Sequence, residues 1–225
     1  MANYRIQLSE LNKESLSHLL TFQIMFENFN VRSMYLAPQE LLSLYASART
    51  TGLVLKSGYG ITHAIPIDEG YINPQAVKTL NIGGRDLTEY LTKLLGTHHG
   101  FVATTNAEKD IVNDIKEKSC VVASSDSDVV QSKRTSNVPE AQTQYEQPYE
   151  LPDGKLLNIE DVRYRCPEAL FDPTKLGEEC EGIHKIIYNS IMGCDCNIRM
   201  GLCANILLSG GNTMFQVNHL LQLVY

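Results

Sequence analysis

The residues best placed to do chemistry surround a short polar break, Ser57-Gly58-Tyr59-Gly60, between the apolar run Leu53-Val54-Leu55 and the stretch from Ile61 to Ile67. Apolar runs on either side of a glycine-rich break read as two strands of a hairpin, and glycines at the turn let backbone N–H groups come close to an anion. The pattern is that of a phosphate-cradling hairpin. A second candidate is Cys194-Asp195-Cys196, but no matching pair completes a four-ligand zinc site, so no metal is expected there. The six cysteines, Cys120, Cys166, Cys180, Cys194, Cys196 and Cys203, are read as thiols of an intracellular chain.

Composition narrows the partners. The 225 residues hold 26 Asp and Glu against 19 Lys and Arg, and no basic run breaks that balance, so nucleic acid is not an expected ligand. No apolar run has the length of a membrane helix, and the N-terminus lacks the apolar core of a signal peptide. A soluble chain that can bury a substantial core is expected.

Positioning the hairpin falls to the elements around it. Leu19 to Phe29 is dense in large apolar residues and reads as a helix, and Pro38 suits the first turn of a second helix carrying Leu41, Leu44 and Tyr45 on one stripe. After the hairpin, Leu87, Tyr90, Leu91, Leu94 and Leu95 follow helical spacing, with Asp86 placed to favour the helix start. Thr105 to Glu108 fits a capping box that opens a helix through Ile111, Ile115 and Lys118. Further helices are expected at Glu168 to Leu170, Cys180 to Ile191 and Val217 to Val224, and a buried strand at Asn205 to Leu208. Ser124 to Gln147 is polar and aperiodic, and reads as a mobile loop.

The block Arg49-Thr50-Thr51-Gly52, the hairpin and Gly70-Tyr71 together resemble the actin family. The likeness begins near Phe22-Gln23-Ile24-Met25-Phe26-Glu27-Asn28-Phe29-Asn30 and continues through Leu42 to Ser47, Gly84-Arg85-Asp86-Leu87-Thr88 and Ile115-Lys116-Glu117-Lys118. It returns at Tyr149 to Gly154, Arg165 to Phe171, Asn189-Ser190-Ile191-Met192 and Leu208-Ser209-Gly210-Gly211, in the family's order. The resemblance implies an α/β chain with a partial actin, sugar-kinase and heat-shock ATPase-like fold, a mixed sheet flanked by helices with a smaller inserted subdomain. It implies a divergent segment at 1–18, a helical remnant of the smaller lobe at 19–48, a large-lobe core from 49–82 and 179–225, and an inserted subdomain at 83–178 with the mobile loop 124–147. The family's first sheet and first phosphate loop, and its helical tail, have no counterpart here, so the chain matches the middle and larger lobe of actin.

The resemblance also assigns roles. In actin, acidic residues hold a divalent metal mainly through water, two hairpins cradle the phosphates, and a water is oriented towards the terminal phosphate. Gln39 matches the glutamine that helps position this water, and His63 the nearby histidine. Ser57, Gly58 and Gly60 match the phosphate hairpin. Gly84, Lys116, Glu117, Gly210, Gly211, Met214 and Phe215 fall on nucleotide-contact positions, Phe215 replacing a tyrosine. Read without the resemblance, Gln39 and His63 are packing residues, the glycines serve turns, and Lys116 and Glu117 are exposed helix charges.

Two departures set the expected function. Lys56 and Tyr59 stand where the family's hairpin carries aspartates, so Mg²⁺ binding is not expected and ATP or ADP is expected to bind weakly at most. Lys175 and Glu178 replace the phenylalanine and methionine of the family's interstrand plug, which disfavours a homopolymer. The expected protein is a non-catalytic, cytoplasmic actin-related component of the cytoskeleton, not an enzyme, acting on protein partners with actin or actin-binding proteins as candidates, and not on nucleic acid or membrane. The alternative is a residual ATP-binding homologue with slow or no hydrolysis. Phe22, Ile24, Met25 and Phe26 lack the family's small-lobe sheet and are expected to need another cover.

Overall fold

The computed structural model describes residues 13–101, 103, 105–122, 148–159 and 161–217. The expected loop at Ser124 to Gln147 and all but the first residue of the expected helix at Val217 to Val224 lie outside these. The chain divides into two units, Met1–Pro38 and Gln39–Tyr225.

In the first unit, α1 (Lys13–Gln23) runs on into a π-helical turn, Ile24–Asn28, so the expected helix at Leu19 to Phe29 is present with a widened last turn. The rings of Phe22 and Phe26, four residues apart, stack with centroids 6.5 Å apart. Ile24, Phe26, Phe29 and Tyr35 are all exposed.

The second unit is built on a five-stranded mixed sheet. Strands β1 (Gly52–Ser57) and β2 (Thr62–Asp68) form the expected hairpin, paired antiparallel so that Lys56 faces His63. On its outer side β2 pairs with β3 (Tyr71–Ile72) and β4 (Lys78–Leu80). On the far side of β1 lies β8 (Ile206–Ser209), running parallel to it. Alternation along β1 divides the core: Leu53 and Leu55 face one way and Val54 the other.

Val54, Ile65 and Ile67 pack against Leu41 and Leu44 of α2 (Gln39–Ala46). Tyr45 is exposed, so the stripe expected on this helix narrows to two leucines, and the third buried position belongs to Glu40. The opposite face of the sheet carries the larger core. That core runs on beyond the sheet, where α3 (Gly84–His99) and α4 (Asn106–Ser119) pack on each other and bury Leu87, Leu91, Leu94 and Leu95 on the one and Val112 and Ile115 on the other. The capping box that starts α4 is formed: the Thr105 N–H donates to the Glu108 carboxylate at 2.8 Å, and the Glu108 N–H to the Thr105 hydroxyl at 3.3 Å.

Two short pairings complete the unit: β5 (Val121–Val122) with β9 (Gln216–Val217), and β6 (Pro148–Glu150) with β7 (Leu156–Asn158). The helix expected at Glu168 to Leu170 lies earlier in the chain, as α5 (Val162–Glu168), with only turns after Glu168. Helix α6 (Ile183–Met192) starts three residues later than Cys180. Its N-cap, Gly182, has extended backbone and packs so closely on Phe171 that a Cβ there would lie 2.0 Å from the Phe171 carbonyl oxygen. Helix α7 (Cys196–Ala204) was not expected, because it buries only Leu202 and shows little periodicity. β8 forms where expected but is not fully buried, because it has no neighbour on its outer side among the described residues. The described cysteines are all free thiols. No described helix is long and apolar enough to cross a membrane.

Candidate functional site

Three backbone segments meet at one end of α3, and glycines make the meeting possible. A Cβ on Gly83 would lie 2.4 Å from the Tyr59 carbonyl oxygen, and one on Gly210, which has φ +95°, would lie 2.2 Å from that of Ser57. The hairpin turn, the start of α3 and the turn after β8 therefore touch backbone to backbone.

Hydrogen bonds fasten this junction. The Gly84 and Arg85 N–H groups donate to the carbonyls of Gly58 and Tyr59 at 2.9 and 2.8 Å, and the Gly58 N–H donates to Ile61 O at 3.0 Å. Asn212 spends both amide hydrogens here, on Ser57 Oγ at 3.1 Å and Gly58 O at 2.8 Å. Thr62 donates its hydroxyl to Ile82 O at 2.8 Å, so Ser57 must be the donor in the 2.8 Å Ser57–Thr62 contact. The result is a directed relay from Asn212 through Ser57 and Thr62 to the Ile82 carbonyl. Beside it, the Gly58, Gly84 and Arg85 N–H groups are held by the carbonyls of Ile61, Gly58 and Tyr59 rather than open to an anion.

Lys56 is also engaged. Its ammonium forms an ion pair with the Glu40 carboxylate at 3.1 Å and a shorter contact with Gln39 Oε1. The Glu40 side chain is 12 % exposed and that of Lys56 27 %. Lys56 is neither a free phosphate ligand nor a freely solvated lysine, because the acidic first turn of α2 reaches it. His63, directly across the hairpin, exchanges a 3.2 Å hydrogen bond with Thr79 through Nδ1. Tyr59 points outward, 71 % exposed.

Beyond the junction lies a cleft of about 1080 Å³ between the ends of α3 and α4 and the turn at Gly211–Met214. Of the candidate residues, Gly58, Gly84, Lys116, Glu117, Gly211, Met214 and Phe215 line it; Gln39, Ser57, Gly60, His63 and Gly210 do not. Lys116 corrects the expectation of an exposed helix charge: it is 5 % exposed. Its three ammonium hydrogens go to Gly84 O at 3.1 Å, Thr88 Oγ1 at 2.9 Å and Asn113 Oδ1 at 2.8 Å. Burial pushes its pKa below the ordinary lysine value, against the opposing pull of the Cys166 thiol and Glu117. Asn113 passes its own amide hydrogen to Glu117 Oε1 at 2.7 Å, so Lys116 and Glu117 are linked through one amide. Glu117 and Met214 remain exposed in the cleft, and Phe215 is 8 % exposed with its ring at the wall.

The two halves of the cleft therefore fit a nucleotide unequally. The wall of Glu117, Met214 and Phe215 offers a carboxylate, a flexible thioether and an aromatic ring to a base and its sugar. The hairpin end does not fit a metal-bound triphosphate, since Lys56 stands where a carboxylate would hold the metal and is itself paired, and the Gly58 N–H is already bonded. Sequence reasoning missed Glu40 and Asn212. Asn212 carried a signal, standing next to Gly210-Gly211, whereas nothing local ties Glu40 to a lysine 16 residues away.

The two residues expected to replace the family's interstrand plug, Lys175 and Glu178, lie in and just after a short helical turn, Pro173–Leu176. Lys175 is paired with Glu168 at 2.5 Å and so is not an unpartnered charge, and Glu178 is exposed. A family model described as Actin matches residues 9–219. With the mixed sheet, its helical flanks and the cleft beside the hairpin, that match shows that this chain belongs to the actin family.

Proposed function

We propose that this chain is a non-catalytic actin-family protein that works through protein contacts in a cytoplasmic, cytoskeletal assembly. The observation that carries this reading is the Lys56 ammonium held by Glu40 and Gln39. Hydrolysis by the family's route needs a metal organised by carboxylates and a water positioned by the residue at Gln39. Here the carboxylate position holds a cation, and the glutamine oxygen is turned onto that cation. Metal and lysine repel each other, and freeing Lys56 would strand Glu40 in a poorly hydrated position.

The test is phosphate release from Mg-ATP by the full chain, compared with Gln39→Ala. The expected result is the same background rate for both. Steady turnover by the natural chain that Gln39→Ala abolishes would overturn the proposal. Affinity capture from its own cells, with actin and actin-binding proteins as the expected companions, tests the interaction half.

A second reading, nucleotide binding without turnover, is favoured by the cleft of about 1080 Å³ with Glu117, Met214 and Phe215 on its wall. The third element of the proposal is that the chain does not form filaments by itself. Charged residues at Lys175 and Glu178 replace an apolar plug, and a paired lysine still exposes less apolar surface than a phenylalanine. Sedimentation at high protein concentration in Mg²⁺ and salt is expected to leave the purified chain in the supernatant; long regular filaments would contradict it.

A further inference from the structure

The first unit has an apolar helix and no core to put it in. From residue 17 to residue 38 no side chain is buried. A helix as short as α1 with its π-helical turn holds its shape mainly by packing an apolar face. Yet Leu19, Leu20, Ile24 and Phe26 are 36–49 % exposed, Phe29 69 % and Tyr35 80 %. Together they leave open on the order of 600 Å² of apolar surface, most of the roughly 800 Å² that each partner of a stable pair buries. A monomer seldom leaves that much uncovered.

The order of residues along α1 and its π-helical turn fits one cover in particular. Lys13, Leu16, Leu20, Ile24 and Glu27 follow one another at steps of three, four, four and three, the spacing that sets residues along one side of a helix. Those steps read the same from either end, with Leu20 at the centre, three apolar positions inside and opposite charges at the two ends. Glu14 and His18 fall on the other side. Turned about a two-fold axis at Leu20, a second copy would set its own Leu20 against Leu20, Leu16 against Ile24 and Lys13 against Glu27. Each helix N-terminus would also lie beside the other's C-terminus, the favourable order for their dipoles. We propose that two copies of this chain pair antiparallel through α1, about a two-fold axis at Leu20. Such a contact uses the same patch on both copies and closes at two, which is compatible with the proposed lack of filaments.

Sedimentation velocity of the full chain across micromolar concentrations is expected to show a species of twice the mass of one chain and nothing larger. Lys13→Glu and Glu27→Lys should each weaken the pairing at least fivefold, since like charges then meet at both ends. An equimolar mixture of these two variants should recover it, because every end then meets its opposite. Leu20→Asp, which sets two carboxylates against each other at the axis, is expected to leave monomers. Should that variant label at the buried Cys120, Cys166 or Cys194 with iodoacetamide, it has unfolded, and the charge variants then decide. A natural chain that stays monomeric overturns the proposal, since the cover is then another part of the chain or another protein. Undiminished pairing in either charge variant, or no recovery in their mixture, overturns it as well, because the copies then meet in another order or through another face.

Discussion

The two ends of the cleft are built from similar parts and put to opposite use. At the hairpin end, Gly58, Gly84 and Arg85 turn their N–H groups onto the protein's own carbonyls, Asn212 seals the junction, and Lys56 is spent on Glu40 and Gln39. At the other end the supporting network, from Gly84 through Lys116 and Asn113 to Glu117, is equally satisfied but lies behind the wall, leaving Glu117 and Met214 facing the cleft. Internal hydrogen bonding thus takes the Gly58, Gly84 and Arg85 N–H groups out of use for an anion. A backbone donor already bonded at 2.8–3.0 Å has to be freed before it can bind a phosphate.

If the hairpin end is a structural junction, damage there should cost folding stability. The largest effect is expected for Gly210→Ala. Its φ of +95° strains any other residue, and the new methyl would press on Ser57 O, so a loss of about 3 kcal/mol or more is expected in denaturant unfolding. Asn212→Ala should cost about 2 kcal/mol, because it removes both amide bonds and leaves the Gly58 carbonyl and the buried Ser57 each short of a partner. Lys56→Met should cost about 1–2 kcal/mol by stranding Glu40, and adding Glu40→Gln should restore most of it. Loss of stability in the single variant with no rescue in the double would show that the pair is not the reason.

A smaller effect is expected away from the cleft, where the Tyr149 hydroxyl donates to Asp114 at 2.5 Å. That bond pushes the Tyr149 pKa from 10.0 up to about 12. The unfolded chain therefore gives up this proton first as pH rises. The bond's contribution of about 1 kcal/mol is whole below pH 10 and lost as pH climbs through about 12. Tyr149→Phe should be less stable than the natural chain at pH 8 by that amount, and the two should converge in strong alkali. Smallest of all, Glu117→Ala should leave stability within about 0.5 kcal/mol, since the side chain is exposed, while weakening any sugar-bearing ligand of the cleft.

Much of the fold was legible because local signals agreed with tertiary packing. The hairpin announced itself through Ser57 to Gly60, α3 through its leucine spacing, and α4 through Thr105 and Glu108, all of which depend on neighbours in sequence. Helix α7 was not legible, since it buries little and its apolar residues do not repeat, and α5 lies earlier than expected, over Val162–Glu168 with Pro167 inside it. The candidate site was legible as a set of positions: the resemblance picked out residues of which Gly58, Gly84, Lys116, Glu117, Gly211, Met214 and Phe215 share one cleft. What those residues do was not. Whether Lys116 is solvated or buried, and whether Lys56 is free or paired, depends on side chains far away in sequence that only folding brings together.

Whether the hairpin end still serves a metal-bound phosphate is decided by equilibrium binding of labelled ATP to the full chain, with Mg²⁺ and with a chelator. Because Lys56 is paired and no carboxylate replaces it in the hairpin, any affinity is expected to come from the Glu117–Phe215 wall and to be the same in both conditions, with ADP binding as well as ATP. Tightening of ATP binding by tenfold or more on adding Mg²⁺, lost in Gln39→Ala, would contradict this reading of the hairpin.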